Sequence, residues 1–225
     1  MPLHTFDSTN MNTLLISSTA NEIKPFLNYY RKSNDFFQTD VFITGVGLMN
    51  TTYHLLKLIH LKKPGLVVQA GVAGSFEKTL PPATVVIVKK DTVADLGAEE
   101  NNKLLSVFDL KLEKKNRWPF TNGWLVNKSD EFKKLKLKKV TAVTVNQVST
   151  SKKMIDYCQK KYKPVIETLE GAALHYVCLN ENIPFIQLRS VSNYIGERNK
   201  KNWKMKEAIT NLNEELLTLF NLLKK

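Results

Sequence analysis

Short apolar runs rich in β-branched residues alternate along the chain with segments of helical period, and glycine-rich tetrads and triads follow two of those runs directly. These observations predict an α/β fold of three layers, in which a central, mixed but largely parallel sheet is covered by helices on both faces. No Pro/Gly/Ser linker, low-complexity stretch or repeat of roughly 20–50 residues divides the sequence, so a single domain over residues 1–225 is expected.

The elements follow in order. Thr13–Ser17 (TLLIS) reads as a strand and Asn21–Tyr30 as the helix after it, which places Glu22 one turn into that helix. Asp40–Thr44 is a second strand ending at Gly45-Val46-Gly47. Asn50–Leu61 has helical spacing, with Tyr53, Leu56, Ile59 and His60 three to four residues apart. Gly65–Ala70 (GLVVQA) is a buried strand ending in Gly71-Val72-Ala73-Gly74. Thr84–Lys89 and Val140–Val148 are further strands, and Ser149–Tyr162 is a helix opened by a Ser/Thr start signal. Leu169–Asn180 is a largely apolar helix, and Pro184–Val191 (PFIQLRSV) a buried strand. Met205–Leu223 is amphipathic, with Ile209, Leu212, Leu216, Leu219 and Leu223 on one stripe. Ala94–Asn127 has weak periodicity and reads as an elaborated loop region.

Composition narrows the function classes. The two cysteines, Cys158 and Cys178, exclude a disulfide framework and read as small buried hydrophobes. No His/Cys cluster suggests a metal, and no apolar run approaches the ~20 residues of a membrane span. Met1–Asn12 is polar and lacks an apolar leader core, so a cytoplasmic protein without membrane association is expected. Lys+Arg total 33 against 21 Asp+Glu, for a net charge of +12. The excess is lysine: the arginines are Arg31, Arg117, Arg189 and Arg198. Base readout and bidentate phosphate clamps favour arginine, and the one dense run, Lys133–Lys139, has no interleaved aromatic platform. A solvated lysine face is therefore expected, with no nucleic-acid partner.

In open α/β sheets ligands bind beyond the carboxyl ends of the strands. The segments to search are Ser18–Glu22, Gly45–Gly47, Gly71–Gly74, Val145–Ser149 and Ser192–Asn199. Neither glycine stretch completes G-x-G-x-x-G, since Asn50 stands three after Gly47, and no Walker A pattern is present. Dinucleotide and nucleoside triphosphate cofactors are thus not expected. Glu170, just before Gly171-Ala172-Ala173, reads either as a carboxylate favoured by a helix dipole or as an acceptor for sugar hydroxyls. Glu22 reads either as a cap or as a functional group. His175, inside the apolar helix, reads as a satisfied core imidazole.

Taken together, Ser17–Glu22, Gly45–Gly47, Gly71–Gly74, Leu169-Glu170-Gly171-Ala172 and Arg189-Ser190-Val191-Ser192-Asn193 resemble the nucleoside phosphorylase superfamily. Within it the chain looks closest to the branch of methylthioadenosine/S-adenosylhomocysteine nucleosidases and futalosine hydrolases. Ser192-Asn193-Tyr194-Ile195-Gly196-Glu197-Arg198-Asn199, Ala94–Glu100 and Pro119–Trp124 are similar to futalosine hydrolases in particular. The resemblance implies a nucleoside phosphorylase-like fold and cofactor- and metal-independent cleavage of an N-glycosidic bond. It implies water activation by Glu22, ribose binding by Glu170 and base stabilisation by Asn193, with Val72, Ala73, Gly74, Val148, Leu169 and Arg198 around the substrate. Arg198 is the candidate cation for an aryl carboxylate at the 5′ end of futalosine, with Arg117 and nearby lysines behind it; Arg198 also reads as a structural partner of Glu197 or Glu167. Two positions discriminate further. Gln69 stands where phosphorylases of this type place an arginine for phosphate, which favours water as nucleophile. Asn193 stands where adenosine-type nucleosidases place an aspartate, and an amide hydrogen-bonds but gives up no proton. The implied partner is a small nucleoside, the implied products are hypoxanthine and dehypoxanthine futalosine on the way to menaquinone, and a homo-oligomer, a dimer or higher, is expected.

Overall fold

The computed structural model describes residues 12–32, 38–129 and 135–223. Residues 1–11 of the polar N-terminal stretch and Lys133 and Lys134 of the lysine run lie outside the described residues. Among the described residues, eleven strands and five α-helices follow in the order β1 (Thr13–Ser17), α1 (Lys24–Tyr30), β2 (Thr39–Ile43), α2 (Leu48–Lys62), β3 (Leu66–Ser75), β4 (Val85–Asp91), β5 (Gly97–Glu100), β6 (Lys103–Ser106), β7 (Phe120–Thr121), β8 (Trp124–Val126), β9 (Lys138–Thr144), α3 (Lys152–Lys161), β10 (Ile166–Thr168), α4 (Gly171–Asn180), β11 (Phe185–Tyr194) and α5 (Met205–Leu223).

Nine strands form one mixed sheet in the order β2-β1-β3-β10-β9-β4-β8-β7, with β11 pairing both β3 and β4. The pairs β1/β2, β1/β3, β3/β11, β9/β10 and β4/β9 are parallel, whereas β3/β10, β4/β11, β4/β8 and β7/β8 are antiparallel. Strands β3, β10, β9, β4 and β11 therefore close a circuit, which removes their free edges.

Two faces of this sheet are buried by different helices, as the strand period of two requires. Leu14 and Ile16 of β1 pack with Leu55 and Ile59 of α2 and with Leu174, Val177 and Cys178 of α4. Leu15, between them, points the other way into a cluster with Phe26 of α1 and Leu212, Leu216, Leu219 and Phe220 of α5. Each such side chain contributes roughly 1.5–3 kcal/mol on leaving water. The third helix, α3, covers Val143 and Val145 with Cys158.

Several predicted boundaries differ, and each difference has a local cause. Gly71–Gly74 is not a loop after the third strand: it continues β3, because β11 runs alongside and pairs Arg189 with Gly71 and Val191 with Ala73. Helix α1 begins at Lys24, with a proline in its first turn, so Glu22 lies in the turn before it. Helix α3 starts after Ser151, whose hydroxyl accepts the Met154 N–H at 3.2 Å, rather than at Ser149. Strand β9 ends at Thr144 and leaves Val145–Val148 as a loop. On α2 the buried residues are Thr51, Leu55 and Ile59; Tyr53 and Leu56 of the predicted stripe are 61% and 38% exposed. The elaborated region holds four short strands: β5 and β6 form a separate hairpin, and β7 and β8 extend the main sheet.

Asn213 is buried within the apolar face of α5. Its Oδ1 accepts the Phe26 N–H at 2.9 Å, and its Nδ2 donates to the Glu22 carbonyl at 2.8 Å. The turn carrying Glu22 is thereby tied to α5. Because Leu216 is fully buried in this interface, Leu216→Ala should lower the unfolding free energy by roughly 2–5 kcal/mol in denaturant titration.

Candidate active site

A cleft of about 440 Å³ opens where β1, β3, β10 and β11 end. All five searched segments contribute to its wall, as the strand-end rule predicts. The cleft is lined by Glu22, Glu170, Asn193, Val72, Ala73, Gly74, Val148, Leu169 and Arg198, so every site residue expected from the sequence meets at one place. Ile195, Trp203, Met205, Ile209 and Glu167 line it as well.

Glu22 is held by both of its oxygens. Oε2 accepts the Thr19 N–H at 3.1 Å and the Thr19 hydroxyl at 2.8 Å. Oε1 accepts the Val72 N–H of β3 at 3.0 Å. The carboxylate is thus a cleft group that does not cap α1, and it is clamped between the turn after β1 and β3. Glu170 precedes α4 but makes no capping bond of its own. Its Oε1 accepts the N–H of Gly47, where φ is 92°, and its Oε2 lies 3.7 Å from Arg189 Nη1. The carboxylate is 94% buried as a side chain, so the fixing contacts are donors from the protein rather than water.

Arg189, a motif residue to which the sequence assigns no role, is the largest fully buried side chain among the described residues. Its Nη2 donates to Gln69 Oε1 at 2.8 Å. A Cβ on Gly71 would lie 2.4 Å from Arg189 Nη1 and 2.9 Å from Glu22 Oε1. Glycine is required there because guanidinium and carboxylate converge over it. Gln69 is 1% exposed and lies beneath the cleft wall, its amide oxygen occupied by Arg189. The signal in the sequence was a single charge inside an otherwise uncharged buried strand, PFIQLRSV.

Asn193 Oδ1 accepts the Ser192 hydroxyl at 2.7 Å, and its Nδ2 donates to the Tyr194 carbonyl at 2.9 Å. These contacts fix the amide's orientation and leave one N–H for a ligand. The Arg198 guanidinium lies 5.6 Å from the Trp203 ring centre, at cation–π range. The expected pairing with Glu197 or Glu167 is not formed: Glu197 takes the Asn199 N–H and the Asn202 amide, and Glu167 takes the Ser149 N–H. Arg117 pairs instead with Glu113 at 3.8 Å.

A buried polar chain supports the start of α4. Gly171 N–H donates to Thr168 Oγ1 at 3.1 Å, and Ala172 N–H to Thr144 Oγ1 at 2.8 Å. The two hydroxyls lie 3.0 Å apart, and Thr144 donates to Asp91 Oδ1 at 3.0 Å. Since the single Thr144 proton goes to Asp91, Thr168 donates between the hydroxyls. The first amides after Glu170 thus end on one carboxylate. Burial pushes the Asp91 carboxyl up to about 6, against Thr144, Gln187, Arg189 and Thr92, which favour the ion. His175 is a fully buried core imidazole as expected, but it is satisfied on one side only: Nδ1 lies 3.0 Å from the Leu125 carbonyl and so carries the hydrogen, while Nε2 is buried without a hydrogen-bond partner. Burial pushes its pKa down to about 4.

The family model described as the phosphorylase superfamily matches residues 38–225. The chain belongs to the phosphorylase superfamily. It is similar to the futalosine hydrolase of Thermus thermophilus, at 27% identity over 172 residues and 75% of each chain. It is similar to the futalosine hydrolase of Streptomyces coelicolor, at 28% identity over 66% of this chain and 62% of that one. Its fold matches a 5′-methylthioadenosine/S-adenosylhomocysteine nucleosidase of Helicobacter pylori with 5′-methylthioadenosine in the active site, at TM-score 0.77 and 18% identity over 94% and 98% of the two chains. No helix among the described residues is long and apolar enough to cross a membrane.

The two buried groups make opposite demands on pH. The folded state holds a proton on Asp91 between pH 3.8 and about 6 that the unfolded chain releases, so this group's contribution falls as pH rises through that window. His175 is neutral in the fold down to about 4 but protonates at 6.5 when unfolded, so its contribution rises with pH from about 4 to 6.5. Each effect is roughly 3 kcal/mol, and they oppose each other. Asp91→Asn should therefore unmask a stability that climbs from pH 4 to 6.5, and His175→Gln one that falls over nearly the same range. Denaturant titrations across that range read both slopes; parallel slopes in the two variants would refute the assignment.

Proposed function

We propose that the chain hydrolyses the N-glycosidic bond of futalosine, releasing hypoxanthine and dehypoxanthine futalosine. The observation that carries the reading is Asn193, which is oriented into the cleft by Ser192 and Tyr194 and has no proton to give. The relatives named futalosine hydrolases support it.

The mechanism starts from charge. Breaking the bond to the base leaves positive charge on the ribose ring and negative charge on the base. Glu170, fixed by Gly47 and Arg189, accepts hydrogen bonds from the ribose hydroxyls and favours the cationic sugar. The free N–H of Asn193 donates to the O6–N7 edge of the base as negative charge builds there. Hypoxanthine, whose charge spreads over two rings and a carbonyl, departs without an enzyme acid and takes its proton from solvent. Water attacks C1′ of the sugar while Glu22, anchored by Val72 and Thr19, takes its proton. The new bond is C1′–O, the broken one C1′–N9, and the water proton passes to the carboxylate. Such a base contributes about 10²–10⁴ in rate. At the mouth, Arg198 over Trp203 offers a cation for the aryl carboxylate, on apolar surface from Met205 and Ile209. Among the described residues, Arg198 is the cation that lines the cleft, and Gln69 leaves no charge-assisted fork for phosphate beneath it.

Base release from futalosine, its 6-amino analogue, inosine and methylthioadenosine, with and without phosphate, tests the reading. Hypoxanthine from futalosine alone, without phosphate, is the expected result. Adenine from methylthioadenosine would transfer the chain to the other nucleosidase branch, and release only with phosphate would make it a phosphorylase. Glu22→Gln should lower kcat by about 10²–10⁴ while calorimetric binding of substrate persists; near-full turnover would remove the water-activating role.

A further inference from the structure

The run Ala94–Glu100 takes no part in the mechanism above, yet its residues brace one wall of the cleft. Ala94 continues the sheet beside the end of β9. Its N–H donates to the Thr144 carbonyl at 2.9 Å, and the Thr144 N–H donates to the Thr92 carbonyl at 2.8 Å, around a parallel bridge at Val93. Strand β9 stops at Thr144, and Asp95 catches the chain just beyond it. Asp95 Oδ2 accepts the Asn146 N–H at 2.6 Å, and Oδ1 accepts the Asn146 side-chain amide at 3.1 Å. Gly97 then opens the β5–β6 hairpin, where a Cβ would run into the Leu105 carbonyl.

What Asp95 holds is a piece of the cleft. Val148, two residues after Asn146, lines it, and residues 145–151 form neither helix nor strand. The N–H groups of Asn146 and Ser149 bracket Gln147 and Val148. Each ends on a carboxylate brought from elsewhere in the chain, Asp95 on one side and Glu167 on the other. Bonds from N–H to an ionised acceptor are roughly twice as strong as neutral ones. Helix α3, which follows the loop, is tied to the same hairpin. Glu99 of β5 lies 2.5 Å from Lys153 Nζ. Lys161 Nζ donates to Ser106 Oγ at 2.9 Å and pairs with Asp109. Residues 146–161 are thus held along their length by residues 95–109, and within that set Asp95 is the tie to the cleft loop.

The geometry points to Asp95 as a positioning residue: by holding both amides of Asn146 it keeps Val148 seated in the cleft wall before substrate arrives. Its effect on turnover rests on the reading of the cleft as a nucleosidase site. A loop without regular structure loses freedom when a ligand orders it, and that loss weakens binding. With Asp95 in place the loop is ordered in advance. Without it, the substrate has to order the loop. An apolar wall touches the ground state and the transition state alike, so its disorder raises KM and leaves kcat in place.

Futalosine kinetics on Asp95→Ala, Val148→Ala and the double variant test this. Asp95→Ala should raise KM roughly 3- to 10-fold, the range of one or two hydrogen bonds, with kcat within about twofold of wild type. A loss confined to kcat is what a merely destabilised protein gives, and it would overturn the proposal, as would an unchanged KM. Asp95→Asn keeps an oxygen for the Asn146 N–H and should return KM close to the wild-type value. Because Asp95 acts through Val148, adding Asp95→Ala to Val148→Ala should change KM by less than about twofold; full additivity would overturn the proposal. Amide hydrogen exchange reads the same tie without turnover. In Asp95→Ala, exchange should quicken roughly tenfold at Ser149 as well as at Asn146, while α5 stays as protected as in wild type; an unchanged rate at Ser149 would overturn the proposal. The two readings fail separately. If futalosine is cleaved but neither KM nor Ser149 exchange responds, Asp95 does not position the loop. If futalosine is not cleaved yet Ser149 exchange responds, the positioning stands and the substrate reading falls.

Discussion

A buried guanidinium organises this molecule. Taking Arg189 out of water costs several kcal/mol unless charge and hydrogen bonds meet it inside. The fold meets it on three sides: Gln69 from β3, Glu170 from the start of α4, and the nearby Glu22 carboxylate across Gly71. Each of these demands constrains something else. Gly71 must lack a side chain, Gln69 must aim its amide oxygen at the guanidinium, and Glu170 must turn back from α4 toward the sheet. The placement of the two carboxylates is thus a by-product of neutralising one cation.

The closed strand circuit makes that arrangement rigid. Since β3 pairs with β1, β10 and β11, it carries contacts to Glu22, Glu167 and Asn193 from one ten-residue strand. The register shift between Val191 and Asn193 turns the end of β11 so that Asn193 faces Gly74. A bulge at a sheet end re-aims a side chain in this way. Two further buried titratable groups, Asp91 and His175, lie behind this wall, where they brace α4 instead of meeting solvent.

Much of this was legible in the residues. The strand at Thr13–Ser17 and the coverage of the sheet on both faces were readable from its unbroken apolar run and the alternation of strands with helices, and the stripe on Met205–Leu223 gave α5 with its stated ends. The family resemblance brought Glu22, Glu170 and Asn193 to one cleft, which spacing alone left open. What was not legible depends on partners far away in sequence. Gly71–Gly74 looked like a turn because nothing local shows that β11 continues beside it. On α2 the expected stripe held at Ile59 but not at Tyr53, Leu56 and His60, because the covered side runs through Thr51, Leu55 and Ile59, and β1 and α4, which cover it, leave no mark in the helix's own residues. Asp91 and Glu167 carried no pattern at all, since their meaning comes from Thr144, Thr168 and Ser149.

The knot at Asn213 has a consequence for biosynthesis. Its amide holds the Glu22 carbonyl and the Phe26 amide across 191 and 187 residues of chain. On the ribosome, α1 emerges long before α5, and contacts of such separation form late. The nascent chain therefore carries the Glu22 turn with its carboxylate contacts to Thr19 and Val72 within reach but its backbone carbonyl still unpaired. That last tie is made only when α5 docks.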